Sequence, residues 1–194
     1  MKSFYTILVL LLLFVFTNNS YAQNPNAGFT GNLGGGISIP TGDLADGWLL
    51  GFNCFGSGGY IFHKNFGTRL DLQYNIFPFD NKNVSGISGG TFGILSVKAD
   101  FLAGDFTIGS KIIPYGIFGI GFYIRSISDI TISGLGTVKG DSETDFGIGV
   151  GGGVGFKFAK NMAFFGEAQF NNIFSEGSST TYIPFKVGIM YIPW

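Results

Sequence analysis

The chain has 194 residues, room for one domain, and 33 of them are glycine and 23 phenylalanine, where glycine is ordinarily about 7% of residues. Only 12% of residues are charged and the net charge is −1, so no basic face invites nucleic acid. Cys54 is the single cysteine, which excludes an intrachain disulfide and reads as a small apolar residue on a strand face.

The first element is a targeting segment. Lys2 precedes the apolar run FYTILVLLLLFVF at 4–16, too short for a membrane-spanning helix of about 20 residues. Polar TNNS and then Ser20-Tyr21-Ala22 follow, a small-x-small cleavage site. The expectation is a cleaved signal peptide over 1–22 and a mature domain over 23–194, exported, with no lipid anchor because no cysteine follows the run.

Beyond residue 27 the hydrophobic period is two, the period of strands. Segment 29–39 sets Phe29, Leu33, Ile37 and Ile39 against Thr30, Asn32, Gly34, Gly36 and Ser38. Segment 48–62 sets Trp48, Leu50, Phe52, Cys54, Tyr60 and Phe62 against Gly51, Asn53, Ser57 and Gly59. In 66–76, Phe66, Thr68, Leu70, Leu72, Tyr74 and Ile76 oppose Gly67, Arg69, Asp71, Gln73 and Asn75. In 91–101, Leu95, Val97, Ala99 and Phe101 oppose Ser96, Lys98 and Asp100. In 115–124, Phe118, Ile120, Phe122 and Ile124 oppose Tyr115, Gly119, Gly121 and Tyr123. The sixth segment, 146–158, reads FGIGVGGGVGFKF, with glycine at every odd position from 147 to 155. In 163–171, Phe164, Gly166, Ala168 and Phe170 oppose Glu167, Gln169 and Asn171; in 185–191, Phe185, Val187, Ile189 and Tyr191 oppose Lys186, Gly188 and Met190.

Eight segments of about ten residues match the length of a bilayer-spanning strand. Their connections alternate. His63-Lys64-Asn65 and Ala159-Lys160-Asn161 are tight turns, whereas 41–47, 78–90, 126–142 and 173–181 are longer and polar. Short turns at one end and long loops at the other is the outer-membrane pattern. The stretch 103–112 is long for the short-turn end. The fold expected is all-β: an eight-stranded antiparallel up-and-down transmembrane β-barrel behind a signal peptide.

An eight-stranded barrel is barely wide enough inside for side chains. Bulky inward residues on several strands require another strand to leave room, and the glycines of 147–155 are read as that strand's inner face. The inward charges expected are Arg69, Lys98, Lys157 and Lys186 against Asp71, Asp100, Asp145 and Glu167. Their balance predicts a paired structural network, because an unpaired buried charge is very costly.

With these residues in view, the sequence resembles the small eight-stranded outer-membrane barrels of the OmpA and OmpX type, in the outer membrane protein β-barrel, or porin-family, group. The resemblance is carried by GGGISIPTGDL at 34–44, PYGIFGIGFYIR at 114–125, the glycine-alternating strand 146–158 and FFGEAQF at 164–170, and spans 23–194. It implies a Gram-negative outer-membrane location, insertion by the barrel-assembly machinery, outer-membrane lipid as the surrounding partner, and a monomer. Such barrels usually end on an aromatic residue read during assembly. Trp194 stands there, with Pro193 breaking the alternation before it. No peptidoglycan-binding domain is expected, so the tethering role of larger relatives is not carried over.

Motifs that suggest chemistry lack its context. Gly147-x-Gly149-x-x-Gly152 has the dinucleotide spacing but sits in one long strand without the helix the phosphate needs. Gly86-Ile87-Ser88-Gly89-Gly90 has the nucleophile-elbow spacing, yet His63 is the only histidine and belongs to the opposite end of the barrel. Asp141, Glu143 and Asp145 could hold a cation and read better as solvated loop charges. Trp48, Tyr60, Tyr123 and Tyr191 are candidates for interfacial aromatic girdles. No catalytic, cofactor-binding or metal residue is assigned and no cofactor is expected. The function expected is a non-enzymatic barrel with a plugged lumen, acting through surface loops or in membrane integrity. The alternatives are a narrow porin-like channel for small solutes or ions, a lipid A-modifying enzyme that the lone His63 disfavours, and a soluble lipocalin-like binder with the apolar faces turned inward.

Overall fold

The computed structural model describes residues 27–80, 87–132, 136–175 and 178–193. The expected signal peptide at 1–22, and Trp194, lie outside them. The strands are β1 (Gly28–Thr41), β2 (Gly51–His63), β3 (Phe66–Pro78), β4 (Ile87–Gly89), β5 (Thr91–Gly104), β6 (Ile112–Ile127), β7 (Ile130–Ile132), β8 (Gly136–Val138), β9 (Ser142–Ala159), β10 (Met162–Ser175) and β11 (Ser178–Tyr191). Eight of them close into an antiparallel barrel in the order β1-β11-β10-β9-β6-β5-β3-β2. Closure runs from Gly31 opposite Tyr191 to Thr41 opposite Thr181. With no free edge, each strand's backbone is paired on both sides, which hydrocarbon surroundings demand.

Alternation decides which face is which. Leu33, Phe52, Leu70, Phe122 and Val187 stand on the outer wall, each more than 60% exposed in the bare chain, while Arg69, Asp71, Lys98, Glu167 and Lys186 are buried within. Such a continuous apolar wall is foreign to a soluble surface and suits lipid. The lipocalin-like arrangement, apolar inside and charged outside, is thereby overturned.

The observed strands outrun the expected ones at their loop ends. β11 begins at Ser178, not 185, and Ser175 pairs with Ser178, so most of the connection expected over 173–181 is paired strand. Its Ser and Thr residues read as loop because polarity, not period, dominates there. β2 begins at Gly51, and Trp48 stands before it in an isolated bridge to Phe79. The other two long connections carry β4, β7 and β8, which form a three-stranded sheet beyond the barrel.

The length of the 103–112 connection has a structural reason. Gly104 N donates to Asn65 O at 2.9 Å, Asp105 N to Pro114 O at 3.0 Å, and Phe106 N to Lys64 O at 2.7 Å. These bonds fold the loop across the short-turn end and bury Phe106 in the barrel mouth. Thr107 N donates to the Asp105 carboxylate at 3.1 Å. Hydrogen bonds from Thr107, side chain and backbone, with the nearby Lys64 charge, hold that carboxyl below the usual range. After Tyr191 the chain leaves the strand. Ile192 N donates to Asn161 O, and Asn161 Nδ2 to Ile192 O, both at 2.9 Å, which turns the Ile192 side chain inward.

Candidate functional site in the barrel interior

The lumen is stacked in three layers. The middle layer is charged. Arg69 on β3 donates through Nε to Asp100 on β5 at 2.9 Å and through both terminal nitrogens to Glu167 on β10 at 2.8 Å each. That bidentate fork crosses the barrel, since β3 and β10 lie on opposite walls. Lys186 on β11 pairs with Glu167 at 2.6 Å and with Asp71 at 3.3 Å. Lys98 on β5 lies 3.4 Å from the same Asp71 oxygen and donates to Gln169. Tyr115 OH donates to Glu167 at 3.2 Å. These ionic side chains are at most 2% exposed. Three cations against three carboxylates leave this layer neutral, the condition under which buried charge is tolerated.

An amide and hydroxyl tier continues the layer toward the loop end. Gln73 Nε2 and Ser38 Oγ each donate to Asn75 Oδ1 at 2.8 Å. Asn53 Nδ2 donates to Ser38 Oγ at 3.0 Å, and Tyr123 OH to Asn171 Oδ1 at 3.0 Å.

Apolar clusters close both mouths. Toward the short turns, Ile61, Leu102, Phe106, Ile113, Phe165, Met190 and Ile192 pack with Phe55, Tyr115, Ile117 and Ala163. The cavity remaining there, between Arg69 and Phe106, holds about 10 Å³, about one water at most. Toward the loops, Phe77, Phe92, Ile94, Ile173, Tyr123 and Tyr182 pack beneath Leu44 and Trp48. A short 3-10 turn, Gly42–Asp46, carries Leu44 over the mouth. It starts on Gly42 at φ 57°, where a side chain would be strained. Leu49 N to Pro78 O at 2.9 Å and Asp80 N to Gly47 O at 3.0 Å pin the segment, and the Trp48 ring lies 5.3 Å from Phe92.

The glycine strand supplies the space. A Cβ built on Gly153 would lie 2.7 Å from the Tyr115 ring; on Gly147, 2.7 Å from Tyr123; on Gly149, 2.7 Å from the Asn171 amide oxygen; on Gly151, 2.7 Å from Gln169 Cα. The inner wall of β9 is the recess into which rings and amides from β6 and β10 fit.

Of the residues expected in the lumen network, Arg69, Asp71, Lys98, Asp100, Glu167 and Lys186 come together in the middle layer. Two do not. Lys157 is only partly buried, at the short-turn rim, where its amide donates to Lys111 O at 2.8 Å. Asp145 is at the loop-side rim, paired with Arg125 at 2.7 Å. Arg125 also holds Glu143 at 2.7 Å, so two members of the Asp141, Glu143, Asp145 group are engaged by a cation of the protein itself. Trp48 and Tyr123, candidates for the girdle, pack inside the loop-side cluster, whereas Tyr60 and Tyr191 do face outward. The residues of the amide tier stand on the polar faces that the alternation marks, but both apolar clusters escape that reading. Their signal was present: Phe55, Ile61, Phe77, Phe92, Ile94, Phe165, Tyr182 and Met190 all stand at positions whose parity points inward.

The dinucleotide-like glycines lie in continuous strand β9. His63 is at the short-turn end, its Nδ1 accepting from Asn65 N at 3.2 Å and its ring against Phe66. Gly86 lies outside the described residues, and β4, which carries Ile87–Gly89, is at the other end of the barrel.

The family model for the outer membrane protein beta-barrel domain matches residues 8–192. Among solved structures the fold is similar to Neisserial surface protein A (19% identity, 86% of this chain and 98% of that one, TM-score 0.62). It is also similar to a major outer membrane protein from Thermus thermophilus (12% identity, 84% and 99% covered, TM-score 0.59). A third is Ail of Yersinia pestis in complex with the heparin analogue sucrose octasulfate (18% identity, 85% and 96% covered, TM-score 0.51). At these identities the likeness is one of fold. No curated protein matches the chain. A match over nearly the whole length, on a closed barrel with an apolar outer wall, places the chain in the outer membrane protein beta-barrel domain family and in the outer membrane.

Proposed function

We propose that this chain is a non-enzymatic outer-membrane barrel whose lumen is closed by its own side chains, and which acts through its surface loops or in membrane integrity. One observation carries the reading: the neutral charged layer between two apolar clusters. A solute crossing would have to break the Arg69–Glu167 fork and displace Phe106 at one mouth and the Leu44–Trp48 segment at the other. In this reading the barrel is a monomer in outer-membrane lipid, delivered by a cleaved signal peptide and the assembly machinery. The loop end is acidic. Asp43, Asp46, Asp80, Asp129, Asp141, Glu143 and Asp145 outnumber Arg125 and Lys139 among the described residues, a charge that argues against a sulfated polyanion of the kind bound by Ail.

A narrow channel is the second reading. Asp71 Oδ1, Asp100 Oδ1, Gln73 Oε1 and Asn53 Oδ1 are buried without a hydrogen-bond partner, a set of acceptors that a hydrated path would use. Planar-bilayer recording of the refolded chain 23–194, with insertion verified in parallel, separates the two. The closed-lumen reading expects silence; steady conductance steps would favour the channel.

A further inference from the structure

The net charge of −1 conceals a separation along the barrel axis. The buried layer is neutral and the loop end is acidic, so the excess positive charge falls at the short-turn end. Lys64, Lys111, Lys157 and Lys160 stand there with Asp105 as the neighbouring carboxylate. Lys64, Lys111 and Lys160 are exposed, and none of these three appears in an ion pair of 4.0 Å or less among the described residues.

The fold gathers these lysines around one loop. Lys64 O accepts from Phe106 N at 2.7 Å, and Lys111, at the end of that loop, accepts from Lys157 N at 2.8 Å. Lys160 is in the β9–β10 turn three residues on. Next to them the outer wall turns aromatic. Phe158 stacks on Phe164 at 4.4 Å, Phe66 on Phe101 at 5.7 Å, and Tyr60 and Tyr191 face outward beside them. Aromatic belts settle at headgroup depth, and lysine stems reach past apolar surface to carry the ammonium into the polar layer. The two features together set the lysines at the depth of lipid phosphates.

We propose that this rim binds the phosphate headgroups of anionic phospholipid in the periplasm-facing leaflet. The interaction fixes the depth of the barrel in the membrane. It is independent of whether the lumen conducts.

The test is lipid selectivity of the refolded chain in phosphatidylcholine vesicles, read by electron spin resonance with spin-labelled phosphatidylglycerol or spin-labelled phosphatidylcholine. A headgroup beside one lysine should be preferred about fivefold over a zwitterionic one at low salt. The preference should fall at high salt and vanish in the triple variant Lys64→Gln, Lys111→Gln, Lys160→Gln. It should persist in Asp43→Asn, Asp46→Asn, which alters the other end. These sites are exposed, so both variants should fold, as checked by heat-modifiable gel migration. Absence of selectivity in the parent chain, or selectivity that survives the triple change, would overturn the proposal. So would retention on peptidoglycan that the triple change abolishes while lipid selectivity stays put, since that would assign the rim to a polymer.

Discussion

β3 and β9 are both barrel strands with apolar outer faces, and their inner faces are opposites. β3 turns Arg69, Asp71, Gln73, Asn75 and Phe77 into the lumen. β9 turns in a run of glycines, which elsewhere weakens a strand through lost packing and backbone entropy. The difference shows how a lumen of fixed width is shared out. An eight-stranded barrel cannot widen to take long side chains from every wall, so volume given to the ion pairs and rings must be withheld from another strand. The penalty on β9 is offset by the closure of the barrel, which pairs its backbone on both sides with β6 and β10.

The largest effect should come from breaking the crowded wall's charge balance. Glu167→Ala removes the carboxylate shared by Arg69 and Lys186 and leaves buried positive charge. The expected cost is about 3–5 kcal/mol, seen as a lowered urea midpoint in lipid vesicles, with conductance appearing if the layer loosens. Unchanged unfolding would mean that Glu167 has no part in holding the barrel. A smaller loss is expected for Tyr115→Phe, which deletes the hydroxyl donor to Glu167 at 3.2 Å and keeps the ring in its recess against Gly153. The cost should be about 0.5–1.5 kcal/mol, by the same titration. Glu143→Gln sharpens the contrast between lumen and rim. Glu143 is 67% exposed where it meets Arg125, so the change should cost at most about 1 kcal/mol and shrink further in salt.

How much of this was readable beforehand follows from what alternation encodes. Parity says which way a side chain points, and Arg69, Glu167 and the odd-numbered glycines of β9 all turn inward. It does not say how high along the axis a residue stands. Lys157 and Asp145 share inward parity with the network and lie at the two rims, where the registers of β9 with β10 and β6 place them. Trp48 and Tyr123 were assigned by residue type to the girdle, and the packing of the loop-side mouth overrode that preference. The apolar clusters escaped because a phenylalanine at inward parity, such as Phe55 or Phe77, breaks the polar pattern and looks like noise until the mouths are seen to need closing. The loops hid strand structure in β11 because Ser and Thr pair as well as any residue and mark no period.

The comparison of the two walls is tested most directly by the same substitution on the two faces of the glycine region. Gly153→Val places its Cβ 2.7 Å from the Tyr115 ring and 2.9 Å from Gly166 O, whereas a Cβ on Gly166, in the next strand and facing out, meets nothing within 4 Å. Urea unfolding of both variants in vesicles should show Gly153→Val destabilised by about 1–3 kcal/mol and Gly166→Val unchanged or slightly stabilised. Equal effects at the two positions would contradict the account, because the inner wall of β9 would then not be the space into which the rest of the lumen packs.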